Sequence, residues 1–407
     1  MADHIFIKRV KLNNYKSIKS CDVELGPLTF LVGPNGAGKS NFLDALHFVS
    51  ESLNNPLEYA LRERGGINEV RRRSFGKPTK FGIKIHWELP SNVHGIYGFL
   101  VKPQAQGGFI VQQEICRVFD RLKVQQDFYS IDSGKIETSI ENAPQISPDR
   151  LYLATASNLP AFRPLFDALT HMGFYNLNPD TIRELQPSDA NLVLKRDGSN
   201  LASVLNTLRR ENRPLFLRLI EFLSVITPGI KDIKTKRFQT KETLEFSQFV
   251  GNDGGKTTPF TAENMSDGTL RALGILTALV QSPHSNGNKV RFVGIEEPET
   301  AVHPGAAAVL RDALREATQS TQILVTSHSP DLLDDKSITD RNILAVSNNN
   351  GETIIGPIDD ASKSSLKKRL YTAGELLRSN LLTPENMDSN GDRAEQTKFD
   401  LFAAYSS

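Results

Sequence analysis

Four stretches of this chain carry residue types that handle phosphate. Gly33-Pro34-Asn35-Gly36-Ala37-Gly38-Lys39-Ser40 fits the pattern G-x-x-x-x-G-K-[ST] in full. The glycines let the backbone turn tightly, so that successive N–H groups from Gly33 through Asn35, Gly36, Ala37 and Gly38 to Asn41 converge on one anion. A triphosphate is the natural occupant, with Lys39 reaching its outer phosphates and the Ser40 hydroxyl on Mg²⁺. A second stretch, Phe292-Val293-Gly294-Ile295-Glu296-Glu297-Pro298-Glu299, ends an apolar run in paired carboxylates. In metal-assisted phosphoryl transfer one such acid orients the metal and the next the attacking water, roles that fall to Glu296 and Glu297. A third, Gln322 to Pro330, places His328 just past another apolar run, at the kind of strand end where α/β sheets bind ligands, and makes it a γ-phosphate contact. The fourth is Asn264-Met265-Ser266-Asp267-Gly268-Thr269. Alone it is a helix cap; beside the other three it is a second anion site, with Ser266 and Gly268 presented at a helix N-terminus. One phosphate loop needs one nucleotide, so this surface serves the nucleotide held by another copy of the chain.

The elements that must position these groups are legible in outline. Leu28–Val32 reads as the strand feeding the phosphate loop, and Asn41 onward has apolar residues at helical spacing. Ile5 to Leu12 and Val23 to Leu25 read as strands before it, with Tyr15 or Lys16 as a border for adenine. From Phe81 to Ile140 short alternating segments separated by turn signals predict an antiparallel meander, in which one of Gln112, Gln113 or Glu114 is a candidate γ-phosphate sensor. The pattern becomes helical near Pro160, through Pro164–Met172, Asn200–Leu208 and Pro214–Leu223, and returns to strand over Lys231–Val250 before the loop Gly251–Gly255. A helix follows Ser266 through Leu279, a strand is expected over Glu352–Ile358, and a helical stretch over Leu366–Leu382. Asp359-Asp360 reads as a solvated turn.

Composition limits the alternatives. With 39% hydrophobic residues, 23% charged residues and a net charge of +1, the chain is neither disordered nor globally basic, so any polyanion contact must be local. Arg71, Arg72 and Arg73 are the candidate DNA contact, against the plainer reading of a solvated face. Cys21 and Cys116 have no metal-ligand spacing and cannot build a disulfide framework. No apolar run approaches membrane-spanning length and the first residues lack a leader pattern, so a cytoplasmic protein without membrane contact is expected.

Taken together, Gly38-Lys39-Ser40-Asn41, Met265-Ser266-Asp267-Gly268, Glu296-Glu297-Pro298-Glu299 with His303-Pro304, and Thr326-Ser327-His328-Ser329-Pro330 resemble the ABC-type ATPases of the RecF/SMC branch. The compact AAA-labelled group related to the ATPase half of the overcoming-lysogenisation-defect (OLD) nucleases is most similar, and the likeness extends to Tyr371–Arg378. The resemblance implies an α/β P-loop fold with a mixed β-sheet core, an antiparallel β subdomain and an inserted helical lobe. It also implies two ATP molecules, with Mg²⁺, sandwiched in a head-to-tail homodimer, Ser266 and Gly268 of one subunit facing Lys39 and Ser40 of the other. Glu296 stands where the family usually has aspartate, and His303 where the dimer-crossing loop usually has one. Expected domains are an N-terminal ATPase lobe over 1–150, a helical insertion over 151–250, a C-terminal ATPase lobe over 251–382, and a linker with an apolar tail over 383–407. The tail, Phe399 to Tyr405, either docks on a partner or folds on its own core. After Ile358 too little chain remains for an appended nuclease domain. The favoured role is therefore a regulatory ATPase controlling a separate nuclease or toxin in bacterial antiphage defence. The alternatives are a DNA-repair or chromosome-maintenance ATPase and a nucleotide-gated scaffold with little hydrolysis.

Overall fold

A computed structural model describes residues 6–73, 80–90, 93–120, 124–189, 193–250, 256–281, 290–300, 303–385 and 399–402. The expected loop Gly251–Gly255 lies outside the described residues. Seventeen strands are present in this part of the chain. Three open it: β1 (Ile7–Tyr15), β2 (Ile18–Glu24) and β3 (Leu28–Val32). The meander follows as β4 (Phe81–Glu88), β5 (His94–Pro103), β6 (Phe109–Phe119), β7 (Gln125–Asp132) and β8 (Lys135–Thr138). Next come the short β9 (Gly173–Tyr175) and β10 (Gln186–Pro187), then β11 (Ile230–Phe238), β12 (Lys241–Phe249) and β13 (Thr257–Thr261). The last four are β14 (Phe292–Glu296), β15 (Gln322–Ser327), β16 (Ile343–Asn349) and β17 (Glu352–Pro357).

Thirteen strands form one mixed sheet in the order β8-β7-β6-β5-β4-β1-β2-β17-β16-β3-β15-β14-β9. The antiparallel meander is thus continuous with the nucleotide end of the sheet, through β1 and β2. β9, β14, β15, β3 and β16 run parallel, and β3 and β15 are buried along their whole length. Continuous apolar runs are what parallel strands covered on both faces require. One face is covered by the helix Lys39–Asn54, whose Phe48 meets Tyr15, Phe81 and Phe99 with ring centroids 5.7 to 6.3 Å apart. The other is covered by the helix Asp267–Val280, whose Leu270, Leu273 and Leu276 pack with Phe30, Val325 and Ile295 in a second core. Burying each such side chain contributes roughly 1.5–3 kcal/mol. Strands β10 to β13 make a separate small sheet beside the helices Leu201–Glu211 and Arg213–Ile226.

Three local expectations change. The stretch Leu366–Leu382 is not one helix. Asp360–Lys367 and Ala373–Arg378 are separated by a turn in which Arg369 has φ 55°, and a new N-cap box at Thr372 and Glu375 restarts the chain. Asp359 is not merely solvated, since its carboxylate caps the first of these helices by accepting from the Ser362 N–H at 2.9 Å. The described part of the tail folds on its own sheet. Leu401 is 2% exposed against Leu100 and Ile115, and the Phe399 ring and Leu401 occupy notches that a Cβ at Gly82 or Gly98 would fill.

Candidate functional site

The phosphate loop leaves β3 and enters the helix Lys39–Asn54 through two left-handed glycines, Gly36 (φ 76°) and Gly38 (φ 102°). Both conformations are costly for other residues, which explains the glycines. The loop is braced from behind: the Thr353 hydroxyl donates to the Ala37 carbonyl at 2.9 Å, and Asn41 donates to Ser17 Oγ at 2.6 Å. The Lys39 ammonium lies inside the loop, donating to the carbonyls of Gly33 at 2.9 Å and Pro34 at 3.1 Å. Burial pulls its pKa below the ordinary lysine value, while the charges of Glu297 and Glu299 act in the opposite sense.

The acids stand two strands away and His328 one. β14 is parallel to β15 with Glu296 level with Thr326, and β15 is parallel to β3 with Ser327 level with Val32. Glu296, Glu297, His328 and the phosphate loop therefore share the carboxyl edge of one sheet. Glu296 and Ser40 line the same cavity of about 370 Å³, together with Asp44, Lys16 and Arg196. Glu296 accepts from Arg196 at 2.6 Å. Glu297 has φ 42°, a strained value for a non-glycine residue, and its N–H donates to the Thr326 carbonyl at 3.0 Å. Its carboxylate is 3.5 Å from His328 Nδ1.

Glu299 does work that the motif did not predict. Its Oε1 accepts from Ser327 Oγ at 2.8 Å, from the His328 N–H at 3.1 Å and from the Ser329 N–H at 3.2 Å, so one carboxylate shapes the turn that presents His328. Arg271, on the helix after Ser266, donates to the Glu297 carbonyl at 3.5 Å, and burial lowers its pKa. Arg196 and Arg271 carry no motif and were missed for that reason. β9 pairs with β14 so that Tyr175 is level with Ile295, which leaves Asn176 exposed at the same edge as Glu296, a placement that only the sheet pairing reveals.

Ser266 and Gly268 are not brought to this cavity. Ser266 caps its helix by accepting from the Thr269 N–H at 3.2 Å, and the turn is exposed. Gln112, Gln113 and Glu114 are also elsewhere, on β6, with six strands between it and β3. Gln113 donates to Asp132 at 3.1 Å, and Glu114 is fully buried, accepting from the Tyr152 and Leu153 N–H groups and from Tyr129. None of the three senses γ-phosphate here; alternation along β6 turns them to opposite faces of the meander. Tyr15 does not border a base either, because it is buried with its hydroxyl donating to Asp44 at 2.7 Å. Lys16 does line the cavity, paired with Asp44 at 2.6 Å, and with Arg64 it pulls the Asp44 carboxyl down to about 2 against its burial. Of the three consecutive arginines, Arg72 pairs with Glu352 at 3.0 Å and Arg73 with Glu69.

The geometry matches what similarity to known proteins gives. Residues 28–334 match the family described as "AAA domain, putative AbiEii toxin, Type IV TA system". The chain belongs to this family. Within it, the chain is of the ABC-type ATPase branch that includes RecF, SMC and OLD proteins. It is 26% identical over 357 residues to the OLD nuclease of Thermus scotoductus, covering 80% of this chain and 59% of that protein. To the Old nuclease of Escherichia phage P2 it is 23% identical, covering 92% of this chain and 65% of that one. It thus spans about three fifths of the length of these relatives. An SMC head bound to the C-winged helix domain of ScpA has the same fold, with a TM-score of 0.51 at 14% identity over 88% of this chain and 99% of that one.

Family membership implies nucleotide binding, with Mg²⁺ as the usual metal. The residues fit both. At Gly36 a side chain would point into open space, so the loop's exposed face is open to an anion, and Ser40 and Glu296 offer a cation one hydroxyl and one carboxylate across the same cavity. Among the described residues no helix is long and apolar enough to cross a membrane.

Proposed function

We propose that this chain binds and hydrolyses ATP at a site completed by a second copy of itself, and that it regulates a separate nuclease or toxin in bacterial antiphage defence. The observation that carries the reading is the gathering of Lys39, Ser40, Glu296, Glu297 and His328 at one sheet edge, while Ser266 and Gly268 face solvent away from that cavity. A complete reaction centre then needs a neighbour's Ser266 turn, whose exposed helix N-terminus suits the far side of a triphosphate.

In this mechanism Lys39 leaves the Gly33 and Pro34 carbonyls for the outer phosphates, and the loop N–H groups hold the chain of phosphates in place. Mg²⁺, held by Ser40 and Glu296, would neutralise phosphate charge. Glu297 orients and takes a proton from the attacking water, so that the new P–O bond forms in line with the one that breaks. His328, steadied by Glu299, donates to the γ-phosphoryl oxygen where negative charge develops. The link to nuclease action draws on similarity to the Old nuclease of Escherichia phage P2, which extends over 92% of this chain. The DNA-maintenance alternative draws on SMC and RecF likeness, but Arg72 and Arg73 are already matched by carboxylates.

The test is size-exclusion chromatography with light scattering. Glu297→Gln should accumulate as an ATP-dependent dimer with turnover reduced at least about 100-fold, and Lys39→Ala should stay monomeric because it fails to bind nucleotide. Normal hydrolysis by Glu297→Gln would remove the assignment of the base. Copurification of a nuclease or toxin from the native host separates the defence reading from a DNA-stimulated ATPase acting alone.

A further inference from the structure

We propose that Arg196 competes with the metal ion for Glu296: it holds that carboxylate across the cavity, and gives it up when a metal–nucleotide binds. This rests on the ATP reading above. Arg196 comes from the inserted segment between β10 and the helix Leu201–Glu211, not from any phosphate-binding motif. Its backbone is pinned to the end of β9, since its carbonyl accepts from the Asn176 N–H at 3.0 Å and the Asp197 carbonyl accepts from the Asn178 N–H at 3.1 Å. The neighbouring Lys195 N–H donates to Asn200 Oδ1 at 2.8 Å. From this fixed base the guanidinium reaches across the cavity to Glu296 Oε1 at 2.6 Å, with the Arg196 side chain 46% and the Glu296 side chain 15% exposed.

Most of the other charges lining the cavity are matched among themselves, and Glu63 is a further carboxylate there. Asp44 is held by Lys16 and Arg64, and Arg64 also pairs with Glu51. Glu296 is left to Arg196. A divalent cation on Ser40 and Glu296 would draw on the same carboxylate as a guanidinium 2.6 Å from its Oε1, and the two positive charges repel. That repulsion weakens the Arg196–Glu296 pair when the metal binds, and the half-exposed Arg196 side chain has room to swing away. The exchange links occupancy of the phosphate site to the inserted lobe, because the broken bond is one that ties residues 195–200 to β14.

The experiment is equilibrium binding of a fluorescent ATP analogue titrated with Mg²⁺, for wild type, Arg196→Gln, Glu296→Gln and the double variant. Removing the competing cation should lower the half-saturating Mg²⁺ concentration of Arg196→Gln by about 3- to 10-fold, the size expected of a partly exposed ion pair. In the Glu296→Gln background the Arg196 substitution should change it by less than about 1.5-fold, because the two act as one pair. An unchanged or raised half-saturation in Arg196→Gln overturns the proposal, as does an equal effect in both backgrounds. Where the glutamine variant fails to fold, Arg196→Lys keeps the charge and loses the planar fork. It should lower the half-saturation about 2-fold, and no change overturns the proposal. Failure of the ATP reading looks different: wild type and Lys39→Ala would then bind the analogue equally or not at all, and the exchange would fall with it.

Discussion

Replacing Glu299 separates positioning from binding at this edge. The side chain is 10% exposed, and its Oε1 accepts three hydrogen bonds, from Ser327 Oγ and from the N–H groups of His328 and Ser329. In Glu299→Ala the Ser329 N–H keeps the Ser327 hydroxyl at 3.1 Å as an acceptor, but the His328 N–H loses the one acceptor given to it. A hydrogen bond to a charged group is worth about 1.5–3 kcal/mol. If that loss falls on the placement of His328, turnover drops roughly 10- to 150-fold, at about 1.4 kcal/mol per tenfold. Nucleotide affinity should change far less, because Lys39 keeps Glu297 as an opposite charge and the loop carbonyls are untouched. Glu299→Gln retains an acceptor at Oε1 and should keep most of the activity. Single-turnover phosphate release measures the rate, and a fluorescent ATP analogue measures binding. Turnover of Glu299→Ala within about threefold of wild type, or equal losses in the alanine and glutamine variants, would refute the reasoning.

The other consequences concern the scaffold. Burial raises the Glu114 carboxyl from its ordinary 4.5 to about 7, against the donors that favour its ionised form. Because the folded-state value is the higher one, the stabilisation is full below about pH 4.5 and is lost as pH rises through 7, by about 3 kcal/mol, so urea midpoints should fall between pH 5 and pH 8. Glu114→Gln should abolish that slope, and parallel profiles would contradict it. Gly38→Ala forces φ 102° on a residue with a Cβ and sets that Cβ 2.0 Å from Thr353 Oγ1, so it should cost at least about 2 kcal/mol and lose nucleotide binding. Gly38→Ala/Thr353→Ala should recover only part of the stability, because it removes the clash and leaves the strain. Leu401→Asp should release the tail, costing about 2–3 kcal/mol and exposing residues near 400 to limited proteolysis while nucleotide affinity stays unchanged. Equal protease resistance would mean that the tail is held elsewhere.

What could be read from sequence follows from how each element is buried. β3, β14 and β15 are covered on both faces, so they appear as apolar runs, and each ends at the ligand edge in residues of recognisable chemistry. β9 could not be read this way. Three residues, Gly173–Tyr175, are too few to show a period, and they follow a helical pattern directly, yet they place Asn176 and pin Arg196 at the site. Residue type alone makes Glu114 a candidate phosphate sensor, whereas it is a buried carboxylate satisfied from a helix start 38 residues later. The break at Arg369 was hidden because no glycine or proline marks it: Arg369 itself takes the left-handed position after the helix, and the Leu370 N–H donates back to the Ser365 carbonyl at 3.0 Å.

The resting site is already satisfied internally, and that bears on which ligand it selects. Lys39 is bonded to two loop carbonyls, Glu296 to Arg196, and His328 lies between Glu297 and Glu299. Any ligand must exchange these interactions, not fill vacancies, and each exchange costs what the existing bond contributes, about 0.5–1.5 kcal/mol for an ordinary hydrogen bond and more where charge is involved. An anion alone compensates Lys39 but leaves Glu296 where it was. A cation alone displaces Arg196 and adds positive charge beside a lysine that has no anion. A metal and a polyphosphate arriving together satisfy both exchanges at once, since the phosphates take Lys39 and the metal takes Glu296, with their opposite charges next to each other. Under the proposed ATP reading the arrangement thus favours the metal–triphosphate pair over either component, because each component alone leaves one of these internal bonds uncompensated.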